Sequence, residues 1–184
     1  MDDESTSKHA GNPTGERFTK IRAAEYDRVN EFLKDRTAFT AREWAIARAC
    51  QDFRTPTGVP MGTVGEHLPE IVPFVTEPYS GRAISNATYR FDEKVQRAAN
   101  TMLYGALSGF YTADELDDIL YEAVETATLL IETEGGTVDL ETERRVESQL
   151  ADSMNRVRTA SREVAAELAA ESGAEGDAAD ESEG

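Results

Sequence analysis

The sequence predicts an all-α fold: a compact helical domain with a helix-turn-helix-like core, followed by a long acidic C-terminal helix. Three observations predict it. Every long periodic segment repeats its apolar residues at helical spacing, two capping-box signatures open such segments, and no alternating apolar and polar run is long enough for a trusted strand. The 184 residues suffice for one domain with appendages, and 39% hydrophobic residues supply its core.

Residues 1–19 are polar and rich in Ser, Thr, Gly, Asn and Pro, and residues 172–184 (SGAEGDAADESEG) hold no large apolar side chain; both ends are expected to be disordered. Between them lie a core domain at 20–135 and a long helix at 136–171. From Ala23 to Asp35, Tyr26, Val29, Phe32 and Leu33 recur at helical spacing. The next helix, Ala41 to Phe53, carries Trp44, Ile46 and Ala47 behind Thr40 and Glu43, which match the reciprocal cap T-x-x-E. The following connector holds five of the six prolines and four glycines, leaving room only for a short helical turn at Thr63 to Leu68 and extended pieces near Ile71 to Val75.

A long helix then runs from about Arg82 to Phe110, with Ile84, Ala87, Phe91, Val95, Ala98, Met102 and Ala106 on one side. Thr112 and Glu115 form the second cap, ahead of an amphipathic series of Leu116, Ile119, Leu120, Ala123, Ala127, Leu130 and Ile131 that ends at Gly135 and Gly136. The last helix runs from about Leu140 to Glu171. Leu150, Met154, Val157, Val164 and Leu168 fall near a 3.5-residue repeat, with Ser161 where an apolar residue is wanted. Two readings stand: a coiled-coil arm that pairs with another chain, or a helix lying across its own domain.

The formal charge is −17, with a sequence pI near 4.5 and 15 Arg to only 4 Lys. Dense carboxylates and Arg-heavy cations fit a protein adapted to molar intracellular salt, where self-repulsion is screened within about 3 Å at 1 M. A cytoplasmic location is expected: no run approaches the roughly 18 apolar residues of a membrane span, the N-terminus is acidic and polar, and a single Cys50 rules out an intramolecular disulfide. The charge is uneven, with −2 over residues 1–19, +1 over 20–110 and −16 over 111–184. The neutral middle marks either a surface that has kept its cations or a block with more core.

Catalysis requires an acid-base pair or nucleophile, and carriers are few. There are two histidines, His9 in the polar lead and His67 alone in GEHLP, with no ligand-spaced partner. Cys50, among Ala47, Ala49 and Phe53, reads as a small buried apolar filler. The run GVPMGTVG lacks the Gly-Lys-Ser/Thr ending of a phosphate loop and reads as a connector. No catalytic, cofactor or metal site is therefore expected, and the chain reads as a non-enzymatic interaction or regulatory module. Its partner is another protein or a second copy, engaged through the C-terminal helix.

The alternative is a DNA-binding regulator. The helix from Ala41, the turn TVGEHLP and the helix GRAISNATYRF resemble a tri-helical DNA-binding core over about 60 residues. That resemblance implies base-side roles for Arg82, Ser85, Asn86 and Arg90, and phosphate roles for Lys94 and Arg97. Arg90, Lys94 and Arg97 fall within about 60° of one another at 100° per residue, with Asn86 beside them, which fits a reading face and equally a solvated flank. The connection Pro69 to Gly81 is longer than a strict helix-turn-helix allows. The segment from EYDRVNEFLKDRTAFTAREWAIARA through DELDDILYEAVETATLL also resembles a haloarchaeal family of small proteins, a domain of unknown function. This resemblance implies a halophilic cytoplasmic setting and carries no activity or site.

Overall fold

A computed structural model describes residues 17–177. After a 3-10 turn at Thr19–Ile21, six helices follow: α1 Tyr26–Lys34, α2 Ala41–Asp52, α3 Met61–Ile71, α4 Gly81–Leu107, α5 Ala113–Thr133 and α6 Leu140–Asp177. No strand occurs among the described residues, so the fold is all-α as the periodicity requires. Most of the two segments expected to be disordered, residues 1–16 and 178–184, lies outside the described residues. Inside that expected lead, however, Phe18 is fully buried, and α6 continues past Glu171.

The described residues group into two compact units. Unit 1 comprises residues 17–99 with 128–138, and unit 2 comprises 100–127 with 139–177. In unit 1, Val29 and Leu33 of α1 are buried in one cluster with Trp44 and Ile46 of α2, Val64 and Leu68 of α3, and Ile84 of α4. Phe18 packs edge-on to Trp44 at 4.9 Å between ring centroids, a burial that offsets its left-handed φ of 63°. The first cap forms as read: Thr40 Oγ1 accepts from the Glu43 amide at 3.2 Å, and Glu43 accepts from the Thr40 amide at 2.9 Å.

The Pro- and Gly-rich connector is more ordered than expected, because its short turn is an eleven-residue helix, α3, with Pro69 inside it. Pro69 has no N–H, so the carbonyl of Gly65 four residues earlier loses its helical donor. The Tyr79 amide supplies the missing bond at 3.0 Å. Gly65 also permits the approach, since a Cβ there would stand 1.9 Å from the Tyr79 carbonyl oxygen.

In unit 2 the second cap forms between Thr112 and Glu115, whose carboxylate accepts from the Thr112 amide at 2.7 Å and is held below its usual range by that bond. Leu116, Leu120 and Val124 are the buried stripe of α5, whereas Ile119, Ala123 and Ala127 are exposed. Along α6 the residues at alternating spacings of four and three, Glu143, Glu147, Leu150, Met154, Val157 and Ser161, are half-buried. Arg144, Glu147, Ser148 and Ala151 of α6 share one cavity with Asp117, Leu120 and Tyr121 of α5. The first half of α6 thus lies across its own unit. From Arg162 to Glu171 every residue is exposed, including Val164 and Leu168, where the seam continues uncovered.

Candidate functional site

α4 presents Arg82, Asn86 and Arg90 at successive intervals of four, all exposed, on a flank beside the stripe of buried Ile84 and Ala87. Among the described residues no carboxylate pairs with Arg82 or Arg90. Lys94 and Arg97 are placed differently. Arg97 pairs with Glu93 one turn back on the same exposed face at 2.7 Å, an arrangement of small energetic weight. Lys94 turns toward α2, where its Nζ donates to Glu43 Oε2 at 2.6 Å.

Glu43 is buried, and burial pushes its carboxyl up; the hydrogen bond and charge of Lys94, with the Thr40 amide, outweigh that and hold it below its ordinary value. Lys94 therefore locks the start of α2 to α4, and the five sequence candidates divide into three open groups, one surface pair and one structural pair. Phe39 stacked on Phe91 at 4.2 Å reinforces the same junction.

A second feature lies in unit 2, where α4 ends. Phe110 is 70% exposed and Tyr104 64%, their rings 5.8 Å apart, with Leu103 and Leu107 also uncovered. Ser161 of α6 donates to the Leu107 carbonyl at 2.5 Å, which brings the uncovered tip of α6, Val164 and Leu168, beyond this end of α4. Monomeric proteins rarely leave neighbouring large apolar side chains in water without a partner.

Unit 1 contains an open groove of about 550 Å³ between α1 and the last turns of α5. It is lined by the apolar side chains of Ala24, Val29, Phe32 and Leu129 and by the charged Lys20, Arg28 and Glu132. Sequence reasoning gave no sign of it, because the groove joins segments about a hundred residues apart.

Other sequence candidates have structural partners. His67 bonds Glu70 at 3.0 Å through Nδ1 and stacks on Phe53. Cys50 is buried beside Met61 and Thr88, and burial pushes its thiol pKa up, away from the reactive thiolate. The sequence also gave no role to Glu134, which is 8% exposed. It accepts from Trp44 Nε1 at 2.8 Å and from Arg48 Nε at 2.6 Å. Its backbone carbonyl accepts from the Phe18 amide at 3.2 Å, so one residue after α5 ties α2 and the N-terminal turn together.

Among the described residues no group of three or more His, Cys, Asp or Glu is placed to hold a metal ion, and no helix is long and apolar enough to cross a membrane. The chain belongs to a family of unknown function, DUF5806, whose family model matches residues 17–163. No curated protein and no solved structure matches it.

Proposed function

We propose that this family member works without catalysis, as a helical interaction module of a salt-rich cytoplasm, and that its working surface is the apolar end of unit 2. The observation that carries the reading is the uncovered pair Tyr104 and Phe110. Burying two aromatic rings of this size in a partner is worth several kcal/mol, about 25 cal/mol per Å² of apolar area. The composition supports the setting: a net charge of −17 with Arg outnumbering Lys suits molar salt, which also strengthens apolar association by screening repulsion between acidic copies. The form of interaction proposed is self-association. Light scattering on the full chain across a concentration series tests it: the wild type gains mass, and Tyr104→Ser with Phe110→Ser shifts it toward monomer. A wild type of constant monomer mass contradicts the reading.

Arg82, Asn86 and Arg90 favour a second reading, DNA binding along α4, because two cations stay exposed without carboxylate partners on an acidic chain. The three residues make one face, as base and phosphate contacts from a single helix require. The test is fluorescence anisotropy with labelled duplex DNA over a salt series, comparing wild type with Arg82→Gln, Arg90→Gln. Lys94 stays intact in that variant, since it holds Glu43. Binding that survives loss of both arginines, or no binding at any salt where the chain is folded, contradicts it.

A further inference from the structure

We infer that the groove of unit 1 receives the α6 tip of a second copy of this chain, an inference that rests on the self-association reading and names its receptor. Among the described residues, two exposed surfaces are both apolar and carry charges that are largely opposite. On α6, Val164 and Leu168 are one turn apart and exposed, and Glu163, Glu167 and Glu171 run along one side of them. The groove offers the complement: an apolar lining that includes Phe32 and the exposed Leu129, with the cations Lys20 and Arg28 outnumbering its one acid, Glu132. A tip of this kind is an amphipathic helix laid into a hydrophobic groove, with i and i+4 anchors and acidic residues against basic ones.

The charge balance of the units points the same way. Unit 1 carries 13 Lys and Arg and 13 Asp and Glu, whereas residues 100–127 and 139–177 carry five cations and 16 acids. Molar salt screens charges beyond about 3 Å but not those in contact, so tip-to-tip pairing would still set acid against acid, whereas tip-to-groove pairing sets Glu167 against Arg28 or Lys20. The occupant is another copy because α6 is a single rod. At 1.5 Å per residue, about 42 Å separate Leu140 from Leu168, more than the six residues joining α5 to α6 can retrace at about 3.6 Å each. Each chain then offers one tip and one groove, a heterologous contact that closes or propagates according to its angle. The tip lies just past the family-matched span, so the pairing is assigned to this chain alone.

Charge exchange with the full chain tests it, using sedimentation to read the association constant. Arg28→Glu and Glu167→Arg, both at exposed positions, should each weaken association about tenfold, with Lys20→Glu as a second groove variant. An equimolar mixture of Arg28→Glu and Glu167→Arg chains should recover near-wild-type association, because every tip then meets a groove of opposite charge. If Leu168→Asp abolishes association while Arg28→Glu and Lys20→Glu leave it unchanged, the groove is not the receptor and self-association through another surface stands. A wild type that remains monomeric removes both.

Discussion

Ser161 Oγ donates to the carbonyl oxygen of Leu107 at 2.5 Å, joining the middle of α6 to the last residue of α4. The bond explains the polar residue that interrupts the apolar run from Leu150 to Leu168: the final carbonyls of a helix have no donor within it, and the hydroxyl provides one. Ser161→Ala should cost unit 2 about 1 kcal/mol. Ser161→Leu should also lower the melting temperature, although it completes the apolar repeat. A stabilised Leu variant would show that the seam is an ordinary coiled-coil arm and that the bond to Leu107 contributes nothing.

Lys94 and Glu43 supply a prediction with a pH dependence. Glu43 is held below its ordinary value of 4.5 in the folded chain, so its contribution is present above that pH and is lost as pH falls through the folded value. Lys94→Met leaves a buried carboxylate without its cation and should cost about 2 kcal/mol near pH 7, discounted for the partial exposure of Lys94. The deficit should shrink as acid protonates Glu43 in the variant. Denaturant titrations at about pH 7 and pH 4 check it; an equal deficit at both would mean that lost packing, not charge, is responsible.

Glu134 is a point of attachment for three segments. Glu134→Ala strands the Trp44 indole N–H and the Arg48 guanidinium, and should cost about 3 kcal/mol. Glu134→Gln keeps an acceptor for Trp44 and should cost visibly less. Thermal unfolding followed by Trp44, the sole tryptophan, reports this site directly; equal losses in the two variants would remove the carboxylate charge from the account.

Gly65 should tolerate no side chain. A Cβ 1.9 Å from the Tyr79 carbonyl oxygen forces the backbone of residues 79–81 to move and breaks the bond that replaces Pro69's missing donor. Gly65→Ala should cost about 2 kcal/mol or more despite the higher helix propensity of alanine. A stabilised variant would mean that the approach is looser than described.

Local signals were legible in the sequence. Thr40 with Glu43 and Thr112 with Glu115 marked two helix starts at the residue, because a cap is complete within four positions. The end of α5 was legible for the same reason: Gly135 takes a φ of 99°, and the amides of Gly135 and Gly136 close back on Glu132 and Ile131. Longer-range features were not. The apolar series on α4 continues through Val95 and Ala98 without a break, yet residues 95–101 are all exposed, since periodicity states which side of a helix is apolar and not whether anything covers it. For the same reason Lys94 looked like its neighbours Arg90 and Arg97 until α2 placed Glu43 against it.

The central claim is that the working surface is the apolar end of unit 2, including the tip of α6. Amide hydrogen exchange of the full chain at low and high protein concentration addresses it most directly, because exchange reports protection segment by segment. The account predicts that residues 162–171 gain protection as concentration rises, while residues 143–161, already packed within unit 2, change little. Unchanged exchange at 162–171 over a range where the chain gains mass would contradict it, and would move the contact to another surface.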